Sequence, residues 1–335
     1  MRAWQITDTF SIDGLKCNEL PEQSPGAGQV TIRVRGVSLN FRDLLVAKGL
    51  YTKKLPLPLT ICSDCAGEVI AAGAGATKFK PGDRVAAAFM PAWISGAVNE
   101  AVARSAMGAF AQGVLAEQVT LSEDALVRLP AYLTWEEAAS LPCAGVTAWN
   151  ALVVEGQIKQ GDTALVQGSG GVSLFALQFA RAAGAHVIAI TSSDEKAARL
   201  RTLGANEVLN YVTAPDWEEA VRKLTGGGVD HVVEIGGAAT IGKSIRATRM
   251  GGRIALIGNR AAGQGDVNLT AALMKAIRIQ GIFVGSREMF EAMNRSLELN
   301  RIKPVVDSAF EFERAQDALR HLEAAGHFGK VTVRV

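Results

Sequence analysis

Cysteine is scarce in this chain, and long apolar runs are missing. The 335 residues include four cysteines, namely Cys17, Cys62, Cys65 and Cys143. So few thiols suit a reducing compartment rather than a disulfide scaffold. The apolar stretch at residues 85–98 has no charge, but it is too short to cross a bilayer and is interrupted by Pro91 and Gly96. The sequence therefore predicts neither a disulfide-rich secreted protein nor a membrane-spanning one.

The chain also lacks an excess of either charge. Thirty-five basic and 33 acidic residues give a formal net charge of +2, so neither nucleic acid nor an anionic membrane is expected as a partner. The N-terminal stretch MRAWQITDTF has no apolar signal core, and a cytoplasmic location is expected. Because 335 residues are too many for one hydrophobic core, two domains are the default expectation.

The apolar pattern changes near Gly161. Before it, stretches such as QVTIRVRGVSL alternate apolar and polar residues, as half-buried strands do. After it, short apolar runs alternate with helical stretches. The runs are TALVQ, HVIAI, EVL, HVVEI, RIALIG and IQGIFVG, and the helical stretches are GVSLFALQFARAAG, SDEKAARLRTLG, DWEEAVRKLTGG and ATIGKSIRATRMGG. This alternation predicts an α/β fold with a parallel, doubly wound sheet. The tail from Pro304 returns to strand character and is expected to pack on the first part.

A glycine-rich turn follows the first of these runs. It consists of Gly168, Ser169, Gly170, Gly171, Val172 and Ser173, and it opens a helix that leads into a second strand. Glycines allow the backbone to turn tightly beside a pyrophosphate, and the helix N-terminus presents free N–H groups. Ser173 stands where the usual fingerprint has its third glycine. The pattern predicts dinucleotide binding, with an ordinary surface turn as the alternative.

The second strand of this unit ends without an acidic residue. NAD-binding folds usually place a carboxylate there for the ribose 2′-hydroxyl, whereas this strand ends at Thr191, followed by Ser192 and, further on, Lys196. Such a site can accept a 2′-phosphate, which favours NADP(H). Ser193 and Asp194 are also suited to capping the next helix, and the two roles are compatible.

Motifs along nearly the whole chain resemble the medium-chain dehydrogenase/reductase superfamily, in particular its zinc-independent quinone oxidoreductase-like branch. They are GVSLNFRDLLVAKGLY, GEVIAAGAGATKFKPGDRV, LPCAGVTAWNAL, GSGGVSLFALQFA, LGANEVLNY, GVDHVVEIGG and HFGKVTVRV. The resemblance implies a GroES-like, β-rich catalytic domain at residues 1–125, completed by 296–335. It implies a Rossmann NADP-binding domain at residues 126–295, with the active site in the cleft between the two domains.

The same resemblance bears on zinc. Alignment with zinc-dependent relatives places Asn40 and Ser63 at positions of a cysteine and a histidine ligand, and Asp64 at that of a glutamate; Cys143 alone keeps a ligand type. Catalytic zinc needs three protein ligands from Cys, His or carboxylate. Residues 86–125 contain no cysteine, so the structural zinc loop of these relatives is missing as well. The interpretation is a vacated metal site with no metal ligands.

Cys62 and Cys65 then need another role. We expect them to be small apolar fillers at a strand edge. A metal cluster of Cys62, Cys65 and Cys143 is the alternative.

Without zinc, a hydrogen-bond donor must support charge on the substrate oxygen. The resemblance points to Asn40 and Tyr51 as catalytic residues, with ordinary packing as the alternative for Tyr51. The expected function is NADPH-dependent reduction of quinones or α,β-unsaturated carbonyls, both apolar small molecules. Trp93 and Phe110 are expected to line the substrate site. Alternatives are an enoyl-thioester reductase, a secondary alcohol dehydrogenase or a non-catalytic NADPH-binding protein.

The resemblance further implies a set of coenzyme-binding residues and a homodimer formed through edge strands such as IQGIFVG. Tyr211, in LNY, is expected to reach the 2′-phosphate. The full set of coenzyme-binding residues is Asn40, Thr147, Gly168, Ser169, Gly170, Gly171, Val172, Thr191, Ser192, Lys196, Tyr211, Gly236, Ile257, Gly258, Asn259, Phe283, Val284, Phe328 and Lys330.

Overall fold

The computed structural model describes residues 1–52, 54–258 and 267–335. The chain divides into two compact units. One contains both chain ends, Met1–Val146 and Gly285–Val335, and is called the terminal unit. The other, Thr147–Val284, is called the central unit.

Strands and helices alternate differently in the two units. The strands are β1 (Arg2–Ile6), β2 (Leu15–Glu19), β3 (Gln29–Ser38), β4 (Leu59–Thr60), β5 (Asp64–Ala72), β6 (Arg84–Ala87), β7 (Gln118–Ser122), β8 (Leu126–Arg128), β9 (Thr163–Gln167), β10 (His186–Thr191), β11 (Glu207–Asn210), β12 (Val229–Glu234), β13 (Thr248–Leu256), β14 (Arg278–Gly281), β15 (Val306–Glu311) and β16 (Lys330–Arg334). The α-helices are α1 (Phe41–Ala47), α2 (Glu100–Ala103), α3 (Trp135–Ala139), α4 (Val146–Trp149), α5 (Gly171–Ala182), α6 (Asp194–Thr202), α7 (Trp217–Thr225), α8 (Ile241–Ala247), α9 (Leu269–Met274), α10 (Arg287–Asn300) and α11 (Ala315–Glu323). Short 3₁₀ segments lie at Glu123–Ala125, Gly237–Ala239 and Phe312–Arg314, and π-helical turns at Leu141–Gly145 and Asn150–Val154.

The central unit is built on a six-stranded parallel sheet. Its strand order is β11-β10-β9-β12-β13-β14, so the chain starts in the middle, runs to one edge and then returns to the other. The middle strands are buried on both faces, which explains their unbroken apolar runs. In this topology the order reverses between β9 and β12, and ligands bind at the carboxyl ends of the strands there. The predicted doubly wound sheet is confirmed.

The terminal unit is mainly antiparallel. β1 pairs with β2 and β4, while β3, β5, β6 and β8 belong to a larger sheet. β16 joins that sheet by antiparallel pairing with β3, and β15 lies parallel to β16. The core of this unit therefore contains apolar side chains from both ends of the chain.

The unit boundaries differ from the sequence-predicted boundaries at 125/126 and 295/296. β8 pairs with β6, and α3 packs against β3. The Asn294 side chain on α10 donates to the Arg128 carbonyl oxygen at 2.8 Å. Residues 126–146 and 285–295 thus belong to the terminal unit. Sequence periodicity does not reveal these contacts, because each joins segments far apart in the chain.

The predicted helix ATIGKSIRATRMGG is wrong in its second half. α8 ends at Ala247, and β13 begins at Thr248. The Thr248 hydroxyl donates to the Ser244 carbonyl oxygen at 2.7 Å. The Lys275 amino group donates to the carbonyl oxygens of Ile245, Arg246 and Thr248. These bonds satisfy the carbonyl groups at the helix end, so a distant lysine helps to stop the helix.

Strand β14 is shorter than the predicted run IQGIFVG. It covers Arg278–Gly281, and Val284 has a φ of 56°, which is incompatible with an extended strand.

None of the helices in the described parts of the chain combines the length and the apolar character that a membrane span requires.

Candidate coenzyme and active site

The glycine-rich turn has the geometry of a phosphate cradle. Gly168 follows β9 with a φ of 74°, and its N–H donates to the Ile190 carbonyl oxygen at 2.7 Å. A Cβ at this position would lie 3.2 Å from the Ile235 side chain. α5 begins at Gly171, and its N-cap residue Gly170 supplies no side-chain cap. The first N–H groups of α5 therefore lack a side-chain cap, and a pyrophosphate fits this helix N-terminus.

Ser173 has a structural role at the position of the missing third glycine. Its side chain is buried, and its hydroxyl donates to the Gln167 carbonyl oxygen at 2.6 Å. Gln167 is the last residue of β9. The bond ties α5 to the end of the strand, so the serine keeps the close helix–strand packing for which the glycine is used elsewhere.

A buried carboxylate shapes the loop after β12. Glu234 accepts hydrogen bonds from the N–H groups of Gly236 and Gly237, at 2.7 and 3.0 Å, and from the Thr240 hydroxyl at 2.6 Å. Its other oxygen accepts from Gln167 Nε2 at 2.8 Å and from the Ser244 hydroxyl. A network in which each oxygen is satisfied holds its members rigidly. Glu234 therefore fixes the Gly236 loop.

Close backbone approach explains two of the predicted coenzyme residues. A Cβ on Gly236 would lie 2.2 Å from the Thr240 hydroxyl, and one on Gly258 would lie 2.1 Å from the Ile235 carbonyl oxygen. The N–H of Ile257 donates to the Glu234 carbonyl oxygen at 2.9 Å. Gly168, Gly236 and Ile257 thus follow the carboxyl ends of three neighbouring strands. Asn259 lies outside the described residues.

The ends of β10 and β11 bring together the residues predicted to bind a 2′-phosphate. Thr191 is buried and pairs with Asn210, and its carbonyl oxygen accepts from the Tyr211 N–H at 2.9 Å. Ser192 and Tyr211 are exposed beside it. Ser193 caps α6 by accepting from the Lys196 N–H at 3.2 Å. The helix cap is therefore real, and it leaves Ser192 accessible.

The backbone is strained in the segment after β14. Val284 is β-branched and buried, and its φ of 56° is unusual for such a residue. The Asn150 side chain donates to the Val284 carbonyl oxygen at 2.8 Å and holds this conformation. Phe283 beside it is partly exposed, whereas Thr147, on α4, is buried.

In the terminal unit, Asn40 stands at the start of α1 and has its side-chain oxygen fixed. The Lys330 amino group donates to Asn40 Oδ1 at 2.6 Å and to the Leu39 carbonyl oxygen at 2.7 Å. The Asn40 N–H donates to Asp43 Oδ2 at 2.7 Å. Asn40 Nδ2 is buried and has no hydrogen-bond partner within the described ranges. Buried polar groups normally have a hydrogen-bond partner, so this N–H group is available to donate to a bound ligand.

Burial also changes the acidity of Asp43. Desolvation raises the pKa of its carboxyl to about 6, although the positive charges of Arg42 and Lys330 favour the ionised form. Arg42 Nη2 lies 3.7 Å from Asp43 Oδ1, beyond hydrogen-bond distance.

Three residues that align with zinc ligands of zinc-dependent relatives, Ser63, Asp64 and Cys143, are joined by hydrogen bonds. Asp64 Oδ1 accepts from the Ser63 hydroxyl at 2.6 Å, and Oδ2 accepts from the Cys143 N–H at 3.0 Å. Burial raises the pKa of the Cys143 thiol to about 12. In the part of the chain that the structure describes, no three His, Cys, Asp or Glu side chains are grouped as metal ligands. Asp64 instead holds the start of the helical segment containing Cys143.

Cys62 and Cys65 pack in the core among apolar side chains, as expected of small apolar fillers. Burial raises the pKa of both thiols, that of Cys65 to about 12. Cys62 has a φ of 67°, and the backbones of Gly108 and Gly113 lie so close to it that a Cβ on either would clash.

Tyr51 packs beside a stacked guanidinium. The Arg42 Cζ atom lies 4.4 Å from the Phe89 ring centroid and 5.7 Å from that of Tyr51. The Tyr51 and Phe110 centroids are 6.1 Å apart. The Tyr51 hydroxyl has no hydrogen bond to a described residue.

The two residues predicted to line the substrate site differ in exposure. Trp93 is buried, and its indole N–H donates to the Gly96 carbonyl oxygen at 2.9 Å. Phe110 is 41% exposed and therefore suits the substrate-lining role better.

The predicted residue Phe328 is buried, and its N–H donates to Asp307 Oδ1 at 2.8 Å.

The sequence alone indicates no role for Arg42, and none for Glu234. It indicates none for Asp43 either. Two signals were present in the chain: the pattern Asn-x-x-Asp before an apolar run indicates a capped helix start, and Glu234 is a charged residue that directly follows the apolar pair Val232 and Val233.

Comparison with known proteins decides the family. The alcohol dehydrogenase GroES-like domain matches residues 26–131, and the zinc-binding dehydrogenase family matches residues 171–298. A zinc-type alcohol dehydrogenase-like protein of Schizosaccharomyces pombe is 40% identical over 95% of this chain and 93% of its own length. The chain belongs to the medium-chain dehydrogenase/reductase superfamily. The predicted GroES-like and Rossmann folds are confirmed.

Other members of the superfamily have different stated activities. Acryloyl-coenzyme A reductase of Metallosphaera sedula is 30% identical over 95% of this chain and 96% of its own length. Human quinone oxidoreductase is 28% identical over 99% and 97%. The protein is thus similar to reductases of two substrate classes.

Solved structures of the superfamily show the same fold with different coenzymes. An NAD-dependent alcohol dehydrogenase has a TM-score of 0.92 and 35% identity, with full coverage of both chains. The 2-octenoyl-CoA carboxylase reductase CinF, in complex with NADP and 2-octenoyl-CoA, has a TM-score of 0.88 and 26% identity, and the match covers 99% of this chain and 87% of CinF.

Proposed function

We propose that this medium-chain oxidoreductase uses NADPH to reduce quinones or α,β-unsaturated carbonyl compounds without zinc. The observation that carries the proposal is the donor set around Asn40. A buried amide N–H that has no partner among the described residues stands at a position that aligns with a zinc ligand of zinc-dependent relatives, and the neighbouring side chains do not suit zinc.

The central unit fits a nicotinamide coenzyme. The uncapped start of α5 would hold the pyrophosphate, and the tight approaches at Gly236 and Gly258 leave backbone where a Cβ would clash. When bound, the coenzyme supplies the hydride. The chain supplies the phosphate site, the shape of the loops and the hydrogen-bond donors.

The donors in the terminal unit would act on the substrate oxygen. Asn40 Nδ2 and the Tyr51 hydroxyl can each donate to an oxygen on which negative charge develops. In a quinone or an enone, conjugation spreads that charge, so a hydrogen bond is sufficient and a Lewis acid is not required. Oxidation of a primary alcohol would gain less from such donors.

The preference for NADPH rests on the end of β10. Thr191 is uncharged and therefore does not repel a 2′-phosphate as a carboxylate would. Ser192 and Tyr211 are exposed beside it, and Lys196 lies in the first turn of α6.

A second candidate is an enoyl-thioester reductase. It is favoured by the similarity to acryloyl-coenzyme A reductase and to CinF, whose structure contains 2-octenoyl-CoA. A thioester enone needs the same oxygen donors as a free enone, so the site geometry supports both candidates.

NADPH oxidation with a substrate panel tests the proposal. The panel contains 1,4-benzoquinone, 2-hexenal and crotonyl-CoA, and 2-butanol with NADP⁺ for the reverse direction. Turnover of benzoquinone or hexenal is expected, and turnover of crotonyl-CoA alone would favour the second candidate. Activity with 2-butanol alone would contradict both candidate functions.

The absence of zinc is tested separately. Elemental analysis is expected to find no stoichiometric zinc, and a chelator should leave the rate of NADPH oxidation unchanged.

We also propose a homodimer formed through β14. Within the described residues this strand pairs only with β13, and all four of its residues are exposed. In α9 beside it in the chain, Leu269, Leu273 and Met274 are 68%, 77% and 72% exposed. Unpaired edge strands with apolar neighbours favour association with a second chain.

A further inference from the structure

Lys330 has unusual surroundings for a coenzyme-binding lysine. It is 4% exposed, and its amino group donates to Leu39 O and to Asn40 Oδ1. An ammonium group has three hydrogens to donate and no acceptor. Two of the three are thus committed to groups at the start of α1.

This contact fixes which way the Asn40 amide points. Because Lys330 can only donate, the atom that faces it must be the amide oxygen. The main chain of Asn40 is held separately, by the bond from its N–H to Asp43 Oδ2. The only remaining side-chain group, Nδ2, is directed away from Lys330, and it is buried without a partner in the described part of the chain.

We propose that Lys330 is the positioning residue that makes Asn40 a hydrogen-bond donor in the active site. The inference rests on the proposed function, since it assigns the freed N–H to the reacting oxygen or the coenzyme. It reassigns Lys330 from a direct coenzyme contact to a residue that acts through Asn40. Without it, the amide can rotate and present either its oxygen or its nitrogen.

The positive charge of Lys330 also suits its position near buried carboxyl groups. The carboxyl groups of Asp43 and Asp64 are fully buried, and Arg42 and Lys330 are the cations whose charges act on Asp43. A buried carboxylate needs a nearby cation. The amino group thus compensates charge where zinc-dependent relatives place a metal.

A double-mutant cycle tests the assignment. Lys330→Met is expected to lower kcat/KM about as much as Asn40→Ala, roughly a hundredfold. The double variant should be within about twofold of the weaker single variant, because both remove the same interaction. Additive losses, with NADPH affinity falling only where Lys330 is changed, would mean that Lys330 binds the coenzyme directly and would overturn the inference.

A spectroscopic readout separates positioning from general stability. In protein labelled with ¹⁵N-asparagine, the Asn40 carboxamide signals are assigned by their loss in Asn40→Ala. They should move in Lys330→Met and stay in place in Lys275→Met. Lys275 is a matched control because its amino group also donates to main-chain carbonyl oxygens, in the central unit. Unchanged Asn40 signals in Lys330→Met would overturn the inference.

Two further measures keep the test decisive. Lys330→Gln, whose amide can present either an oxygen or a nitrogen to Asn40 and therefore does not fix its orientation, replaces Lys330→Met should that variant fail to fold. If the wild type reduces none of the panel substrates, the proposed function fails, while the carboxamide spectra and NADPH titration still test Lys330.

Discussion

Tyr51 carries a hydroxyl that the described part of the protein does not use. If it donates to the substrate oxygen, Tyr51→Phe should lower kcat about 100-fold, as the loss of one oxyanion donor does. NADPH affinity should be unchanged, because the ring and its packing on Phe110 remain. Steady-state kinetics and a coenzyme titration check this. An unaltered kcat would leave Tyr51 with a packing role.

Lys196 is the residue on which the coenzyme preference is tested. A charge-assisted hydrogen bond contributes about 1.5–3 kcal/mol, so Lys196→Ala should weaken NADPH binding roughly tenfold to a hundredfold. NADH, which has no 2′-phosphate, should be almost unaffected. Isothermal titration of both coenzymes measures this, with Lys223→Ala on α7 as the control. Equal losses for both coenzymes, or a wild-type preference for NADH, would contradict the NADPH assignment.

At the level of single residues, the sequence indicates residue types better than contacts. Asn40 and the glycines of the phosphate loop are visible because they occupy motif positions. The bond between Lys330 and Asn40 is not visible, because the residues are 290 positions apart. The stacking of Arg42 on Phe89 is hidden for the same reason: it depends on how the loops fold over α1.

Helix α1 contains a carboxyl group that resists ionisation, and this makes stability depend on pH. The pKa of Asp43 is raised to about 6 in the folded protein from a usual value of 3.8. Folded protein therefore binds more protons than unfolded protein between these values, and its stability falls as pH rises through this window. The full effect is about 3 kcal/mol at most. Asp64, Arg42 and Lys330 supply the charges around it.

Asp43→Asn removes this contribution while keeping an oxygen that can accept from the Asn40 N–H. The difference in Tm between wild type and Asp43→Asn should shift in favour of wild type as pH falls from about 6 to about 4, because the neutral carboxyl is no longer costly. Thermal melts at several pH values measure the difference. A constant difference across this range would mean that Asp43 titrates normally.

Helix and strand types follow from the sequence more readily than their ends. The predicted helix extends past the boundary between α8 and β13 because Lys275, well outside the helix, caps the carbonyl groups around it. The predicted strand is longer than β14 because Val284 has a positive φ held by Asn150. The spacing of apolar residues in the sequence does not reveal either effect.

At the scale of the whole molecule, the exposed side of β14 and α9 predicts self-association. Light scattering coupled to size-exclusion chromatography should give twice the mass of the 335-residue chain. Leu273→Glu would place a charge on the apolar surface and should shift the protein toward monomer. Leu299→Glu, on α10 of the terminal unit and 83% exposed, is the matched control. A monomeric wild type would contradict the dimer.

The order of the two folds along the chain could be predicted, but the assignment of the connecting segments could not. Alternating strand and helix patterns predict the parallel sheet. Pairing of β8 with β6 and the contact between Asn294 and Arg128 assign residues 126–146 and 285–295 to the terminal unit. Both are long-range contacts between segments whose local pattern is ambiguous.

The amino group of Lys330 bears on whether a zinc site could be built in this chain. Asn40→Cys and Ser63→His would restore the ligand types of a zinc-dependent relative beside Cys143. The Lys330 amino group, however, lies 2.6 Å from the present side-chain oxygen of residue 40, and its charge would repel a divalent cation there. A third change is therefore needed before the first two have any value. Asn40→Cys, Ser63→His and a replacement of Lys330 would therefore have to be combined to create a zinc site in this chain.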